Sequence, residues 1–130
     1  MDKKSVLIVD DEDSICSSLV TLLKSDLVET RTASTLETVD KLIATEKFDL
    51  AIVDLCFKGG GDMEGLDIIS LIKARTPETQ VVLFSGYGTP EIERAALARG
   101  AIDCWDKSIK IATLIERFRA LGIPAGRRAG

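Results

Sequence analysis

Short hydrophobic runs alternate along the chain with longer segments whose apolar residues recur every three or four positions. The short runs are typical of β-strands, and the longer segments are typical of helices with one buried face. Strands are predicted over residues 5–9, 28–32, 50–54, 80–84 and 101–105, each followed by a helix. The runs at 50–54 and 80–84 contain four consecutive apolar residues, as in parallel strands that are covered on both faces. The alternation predicts an α/β fold with five parallel strands and helices on both sides of the sheet.

Residues that favour helix ends mark several boundaries. Segment 34–37 has the Ser-x-x-Glu form of a capping box, which predicts a helix that begins after Ser34. Thr89 and Pro90 are a favoured N-cap and first residue for the fourth helix. Gly100 and Gly122 are expected to end the fourth and fifth helices. The inward positions of the second and last helices are expected to be Leu36, Val39 and Ile43, and Ile111, Leu114, Ile115 and Phe118.

Length and charge place the chain among ordinary globular domains. With 130 residues, we expect one domain over residues 1–121 and a C-terminal tail or the start of a linker over residues 122–130. The net charge of −4 gives no indication of direct nucleic acid binding. No apolar run approaches the roughly 20 residues that span a bilayer, so we expect a cytoplasmic protein with no membrane contact.

The chain contains no histidine. This excludes histidine-based catalytic triads, histidine metal ligands and a phosphohistidine carried on this chain. The three cysteines, Cys16, Cys56 and Cys104, are odd in number and widely spaced, which argues against a disulfide framework or a zinc site. Any chemistry must therefore rest on carboxylates, hydroxyls, lysines or free thiols.

Polar residues follow four of the five predicted strands. Asp10 and Asp11 follow the first strand, Asp54 ends the third, Ser85 follows the fourth, and Lys107 comes shortly after the fifth. Because parallel strands have their carboxyl ends at one edge of the sheet, these side chains would converge if the first and third strands are neighbours. Carboxylate oxygens favour Mg²⁺, and a metal ion together with an ammonium group would offset the charge of a phosphoryl group.

Each of these residues also has an ordinary interpretation. Acidic residues after a strand are favoured in the first turn of the next helix, and we assign Glu12 and Asp13 to that role. Taken singly, Ser85 is better explained as a turn residue and Lys107 as a surface residue, and Asp54 is evenly balanced. These interpretations do not explain why the residues occur together at four strand ends.

The ordered set of motifs resembles the receiver domain of two-component response regulators. The matching segments are Val-Asp-Asp-Glu at 9–12, Ile-Val-Asp-Leu at 52–55, Phe-Ser-Gly-Tyr-Gly at 84–88, and Gly-Ala-Ile-Asp at 100–103 before Lys107. The resemblance covers nearly the whole chain, from about residue 4 to residue 121. It implies a doubly wound, flavodoxin-like (βα)5 sheet with strand order 2-1-3-4-5.

The resemblance also implies roles for the site residues. Asp54 would be the phosphoacceptor, Ser85 would hydrogen-bond the phosphoryl group, and Lys107 would pair with it. Mg²⁺ would be held by Asp10, Asp11, Asp54 and the backbone carbonyl of Cys56. The donor would be a phosphohistidine on a sensor histidine kinase or a histidine phosphotransfer protein, and self-dephosphorylation would be slow. The output partner is unknown, and its face would comprise the fourth helix, the fifth strand and the fifth helix.

Three features depart from the family pattern. The insertion Gly59–Gly60–Gly61 lengthens the segment before Gly65, and we expect a mobile loop there. Ser108 stands where the family has proline, and we predict a cis Lys107–Ser108 bond because the phosphoryl site needs Lys107 in one position. Cys104 stands where the family has an aromatic switch residue, and Trp105 should point to the opposite face of the strand.

Three functions compete on this basis. The first is a phosphorylatable receiver domain, which all five side chains of the site favour. The second is a protein-interaction module on the same fold that works without phosphorylation. The third, a phosphatase of the haloacid dehalogenase type, requires Asp-x-Asp at the nucleophile and fails because position 56 is cysteine.

Overall fold

The computed structural model describes residues 3–10, 12–55, 64–86 and 89–125. The strands in these ranges are β1 (Lys4–Val9), β2 (Val28–Ala33), β3 (Leu50–Val53), β4 (Gln80–Ser85) and β5 (Asp103–Asp106). The helices are α1 (Asp13–Leu23), α2 (Leu36–Thr45), α3 (Glu64–Arg75), α4 (Pro90–Ala98) and α5 (Ile111–Ala120). Strand and helix alternate throughout, which confirms the architecture predicted from the hydrophobic pattern. The glycine insertion at 59–61, where we expect a mobile loop, lies outside the described residues.

The strands form one parallel sheet of order β2-β1-β3-β4-β5. The order reverses between β1 and β3, which pair with Val9 beside Val53. Asp10 and Asp54, the next residue of each strand, therefore leave the sheet side by side. The backbone N–H of Asp54 donates to the carbonyl oxygen of Val9 at 2.8 Å. The predicted doubly wound topology is confirmed.

The core consists of two hydrophobic clusters, one on each face of the sheet. Alternate residues of β1 enter different clusters, Leu7 and Val9 on the side of α2, α3 and α4, and Val6 and Ile8 on the side of α1 and α5. At β5, Cys104 packs against the first cluster and Trp105 belongs to the second. The indole contacts the ring of Phe118 edge to face, with centroids 5.5 Å apart. The prediction that these neighbours point to opposite faces is confirmed.

The N-cap of α2 is Thr35 and not Ser34. The Thr35 hydroxyl accepts a hydrogen bond from the backbone N–H of Thr38 at 3.1 Å, and the helix begins one residue later than the capping box predicted. The reason is that β2 continues to Ala33, whose carbonyl accepts from the N–H of Asp10 at 3.0 Å. Ser34 therefore connects the end of β2 to the N-cap and is not itself the cap.

The first residues of two helices are exposed, contrary to the prediction. Leu36 is 39% exposed and Ile111 is 60% exposed, because each opens its helix before the apolar face meets the sheet. The later inward positions are buried or half-buried as predicted: Val39 and Ile43 in α2, and Leu114, Ile115 and Phe118 in α5.

The corrected cap of α2 has a measurable consequence. Replacing Thr35 with alanine is expected to lower the free energy of unfolding by about 1 kcal/mol, because the N–H of Thr38 loses its acceptor. Ser34→Ala is the matched control and should change stability by no more than roughly 0.3 kcal/mol. Equilibrium urea unfolding of the two variants measures the difference. A larger loss for Ser34→Ala would show that the capping box forms.

The ends of α4 and α5 agree with the prediction. The Thr89 hydroxyl accepts from the N–H of Ile92 at 3.2 Å, and Pro90 is the first residue of α4. Gly100 and Gly122 follow these helices with φ of 114° and 88°, a conformation that glycine adopts without steric cost. Beyond α5, Ile123 and Ala125 are buried in the second cluster. No helix in the described part of the chain is long and apolar enough to cross a membrane.

Candidate functional site

Two buried carboxylates lie at the switch point of the sheet. Asp10 follows β1 and Asp54 follows β3, and their side chains are 3% and 11% exposed. Both are held by the backbone of the neighbouring strand, because the N–H of Asp10 donates to Ala33 and that of Asp54 donates to Val9. This is the place where ligands bind in open parallel α/β sheets.

Lys107 reaches this pair from the turn after β5. Its backbone N–H donates to the carbonyl oxygen of Ser85 at 3.2 Å, which fixes the start of the turn. Its Nζ lies 2.9 Å from Oδ2 of Asp10 and 3.1 Å from Oδ1 of Asp54. An ammonium group has three N–H donors, so one lysine can serve both carboxylates at once.

Ser85 ends β4 at the same edge of the sheet and is buried. The register places Leu83 beside Val53, so Ser85 leaves the sheet next to the strand end that carries Asp54. The structure thus brings Asp10, Asp54, Ser85 and Lys107 to one edge. Asp11 and Cys56, the other predicted metal ligands, lie outside the described residues.

The charges at the site are unbalanced. Burial, together with the negative charge of Asp10, raises the pKa of Asp54 from its ordinary 3.8 to about 6, although Lys107 opposes the shift. Burial alone would lower the pKa of Lys107, but hydrogen bonds from its Nζ to Asp10 and Asp54 and the charges of both outweigh it and raise that pKa. Two buried carboxylates thus share one cation, and a further cation would offset the repulsion between them.

The raised pKa makes Asp54 a source of instability. Replacing it with asparagine is expected to raise the free energy of unfolding by about 1–2 kcal/mol near neutral pH. The folded pKa of about 6 exceeds the ordinary 3.8, so the cost is present above the folded value and fades as the pH falls through it. Urea unfolding at about pH 7.5 and about pH 4.5 measures the gain, which should be larger at the higher pH. Equal gains at both pH values, or a loss at the higher one, would contradict this account.

The donor set of the site suits a hard divalent cation. The oxygens of Asp10 and Asp54 are the ligand type that Mg²⁺ prefers, and the position between them already attracts the cation of Lys107. Among the described residues, no group of three or more histidine, cysteine or acidic side chains is arranged to hold a metal. A complete set of ligands would therefore need waters, a phosphoryl oxygen or groups outside the described ranges.

The Lys107–Ser108 peptide bond is trans, so the predicted cis bond is wrong. Asp106 explains the turn, because its Oδ1 accepts from the Ser108 N–H at 2.8 Å and from the Ser108 hydroxyl at 2.7 Å. These two hydrogen bonds lower the pKa of Asp106. Lys107 thus reaches both carboxylates without the roughly 2.5–4 kcal/mol that a cis bond before serine would cost.

A small cavity of about 30 Å³ separates Ser85 from Cys104. Its walls are formed by Leu83, Ser85, Glu93, Cys104, Trp105 and Asp106, and it has room for about one water molecule. Burial and the charges of Glu93 and Asp103 raise the pKa of the Cys104 thiol to about 11. The thiol is therefore neutral near physiological pH and is a poor nucleophile.

Sequence reasoning missed one residue of the site. From the sequence, Glu12 is expected only to be an acidic residue that favours the start of a helix. In the structure it is the N-cap of α1, and its backbone N–H donates to Oδ1 of Asp10 at 2.9 Å. Its Oε1 lies 3.4 Å from Nζ of Lys107, so a third carboxylate contacts the ammonium group. The sequence feature that could have indicated this contact is the position of Glu12, two residues after Asp10, which follows a buried strand.

Comparison with known proteins gives a consistent result. The family model described as the response regulator receiver domain matches residues 6–119. Response regulator protein PilR of Pseudomonas aeruginosa is 34% identical over 116 residues, which is 89% of this chain and 25% of PilR. The chain spans about a quarter of the length of the first curated relatives that it matches.

Two solved structures show the same architecture. A CheY-like receiver domain protein from Methanospirillum hungatei superposes with a TM-score of 0.83 at 27% identity, covering 93% of this chain and 95% of the other. The receiver domain of NtrX from Brucella abortus superposes with a TM-score of 0.79 at 32% identity, covering 89% of this chain and 96% of the other.

Proposed function

Because the chain belongs to the response regulator receiver domain family, we propose that Asp54 accepts a phosphoryl group from a phosphohistidine in a reaction that needs Mg²⁺. A receiver is a phosphoacceptor signalling domain, the family implies a histidine kinase partner, and its members typically bind a divalent metal. The observation that carries the proposal is the convergence of two buried carboxylates, Asp10 and Asp54, on Nζ of Lys107.

The reacting group is the carboxylate of Asp54. One of its oxygens attacks phosphorus, a P–O bond forms, the P–N bond of the donor breaks, and the imidazole of the donor leaves with the electron pair. The pKa of about 6 leaves most of Asp54 ionised, and therefore nucleophilic, near neutral pH. Asp10 and Asp54, with Asp11 and the carbonyl of Cys56, would hold Mg²⁺, which supplies positive charge that offsets the charge of the phosphoryl group.

Lys107 and Ser85 stabilise the transferred group. The ammonium of Lys107 already lies 3.1 Å from Oδ1 of Asp54 and can pair with a phosphoryl oxygen attached there. The hydroxyl of Ser85 donates to another phosphoryl oxygen. Since Ser85 lines the same cavity as Glu93 of α4 and Cys104 of β5, a movement of Ser85 toward the phosphoryl group reaches α4 and β5 although Cys104 replaces the aromatic residue of the family. The output partner is expected to bind the face of α4, β5 and α5, as the family implies.

Intact-mass measurement tests the proposal. The protein is incubated with Mg²⁺ and acetyl phosphate, and one phosphoryl adduct is expected on the wild type and on the control Asp67→Ala, which removes an exposed carboxylate. Asp54→Ala should carry no adduct. A wild type without adduct, or an adduct that survives Asp54→Ala, would contradict the proposal. The first outcome would favour the phosphorylation-independent interaction module.

A further inference from the structure

The three carboxylates around Nζ of Lys107 differ in their surroundings. Asp10 and Asp54 are buried, at 2.9 and 3.1 Å, whereas the Glu12 side chain is 58% exposed, at 3.4 Å. The buried pair has the position and the oxygens to bind a divalent cation under the proposed function. Glu12 lies on the solvent side of the ammonium and contacts Lys107 from outside that pair.

The backbone keeps Glu12 at this position. Glu12 is the N-cap of α1, and its N–H donates to Oδ1 of Asp10 while Oδ2 of the same residue accepts from Lys107. The side chain thus begins beside the pocket although its carboxylate is mostly in water.

A cation bound by Asp10 and Asp54 competes with the ammonium of Lys107 for the oxygens of both carboxylates. The Lys107 side chain is only 15% exposed, so an ammonium that lost every partner would be poorly solvated. Glu12 is the remaining carboxylate in contact with it among the described residues. We propose that Glu12 is a positioning residue that keeps Lys107 paired at the rim while Asp10 and Asp54 hold Mg²⁺. This inference rests on the proposed function.

The proposed role differs from a general charge effect. Any nearby negative charge attracts a cation, and that attraction does not depend on Lys107. A role that acts through Lys107 disappears when the ammonium is removed. A double-mutant cycle on Mg²⁺ affinity therefore separates the two.

Titration calorimetry with MgCl₂ on the wild type, Glu12→Gln, Lys107→Met and the double variant performs this test. Glu12→Gln should weaken Mg²⁺ binding about two- to fivefold when Lys107 is present and less than about 1.5-fold when methionine replaces it. Glu37→Gln, which removes a first-turn glutamate of α2, is the control for charge and should match the wild type. Equal weakening in both backgrounds, or none, would overturn the proposed role of Glu12 but not the proposed function. A wild type that binds no Mg²⁺ would overturn the proposed function as well.

A second measurement covers the case in which Lys107→Met does not fold. In the Mg²⁺-saturated wild type, the ¹⁵N resonance of the Lys107 ammonium should be visible, because pairing with Glu12 slows exchange of its protons with water. It should broaden or disappear in Glu12→Gln. An unchanged resonance in that variant would overturn the inference.

Discussion

Replacing Gly65 with alanine is expected to lower the free energy of unfolding by about 2–4 kcal/mol. A Cβ at this position would lie 2.1 Å from the carbonyl oxygen of Asp54 and 2.7 Å from Cα of Leu55. The N–H of Gly65 also donates to the carbonyl of Leu55 at 2.8 Å. Backbone atoms cannot move aside as the end of a flexible side chain can, so α3 or the Asp54 segment must shift.

The sign of this change is informative because helix propensity predicts the opposite. Gly65 lies inside α3, where alanine would otherwise be favoured by about 1 kcal/mol. Gly86→Ala is the matched control, since a Cβ built there meets no atom of the described residues within 4 Å beyond its chain neighbours, and stability should change by less than roughly 0.5 kcal/mol. Urea unfolding gives both values. A stabilised Gly65→Ala variant would show that α3 does not approach the end of β3 this closely.

Replacing Lys107 with methionine is expected to lower the free energy of unfolding by about 2–4 kcal/mol near neutral pH. Asp10 and Asp54 then remain buried without the ammonium that lies 2.9 and 3.1 Å from them. Saturating Mg²⁺ should restore much of the loss, since a bound cation again offsets both charges.

The destabilisation by Lys107→Met should shrink as the pH falls toward about 5. Lys107 lowers the pKa of Asp54 in the wild type, so without it this carboxyl takes up a proton above pH 6. In the unfolded chain, Asp54 has its ordinary pKa of 3.8 and stays ionised until much lower pH. The folded state of the variant therefore gains relative stability as the pH falls. Lys41→Met is the control, because its pair with Glu37 is highly exposed and contributes little. A loss below about 1 kcal/mol, or one independent of pH, would contradict this account.

The sequence carried enough information for the fold and for four of the site residues. The strands and helices follow from local periodicity, and Asp10, Asp54, Ser85 and Lys107 converge because parallel strands have their carboxyl ends at one edge. The one further condition for this convergence is that β1 and β3 are neighbours, and the strand order meets it. These features depend on local hydrophobic periodicity and on the strand–helix alternation that repeats along the chain.

Two of the errors concern features that depend on distant parts of the chain, whereas the peptide bond after Lys107 depends on a local turn. Whether Ser34 or Thr35 caps α2 depends on where β2 ends, and that is set by pairing with β1. Glu12 meets Lys107 across 95 positions of sequence, so helix-dipole reasoning could not reveal the contact. The trans bond after Lys107 is explained by hydrogen bonds between Ser108 and Asp106. The cis bond was expected because the family has proline at position 108.

The tryptophan on β5 gives the protein an internal optical reporter. Trp105 is the single tryptophan of the chain, and it is buried against Phe118 with its Nε1–H donating to Asp103 at 2.9 Å. It also lines the cavity that Ser85 lines, so the same few side chains connect the carboxyl edge of the sheet with the indole. The tryptophan fluorescence of this domain therefore arises from one place, beside the cavity that Ser85 and Cys104 also line.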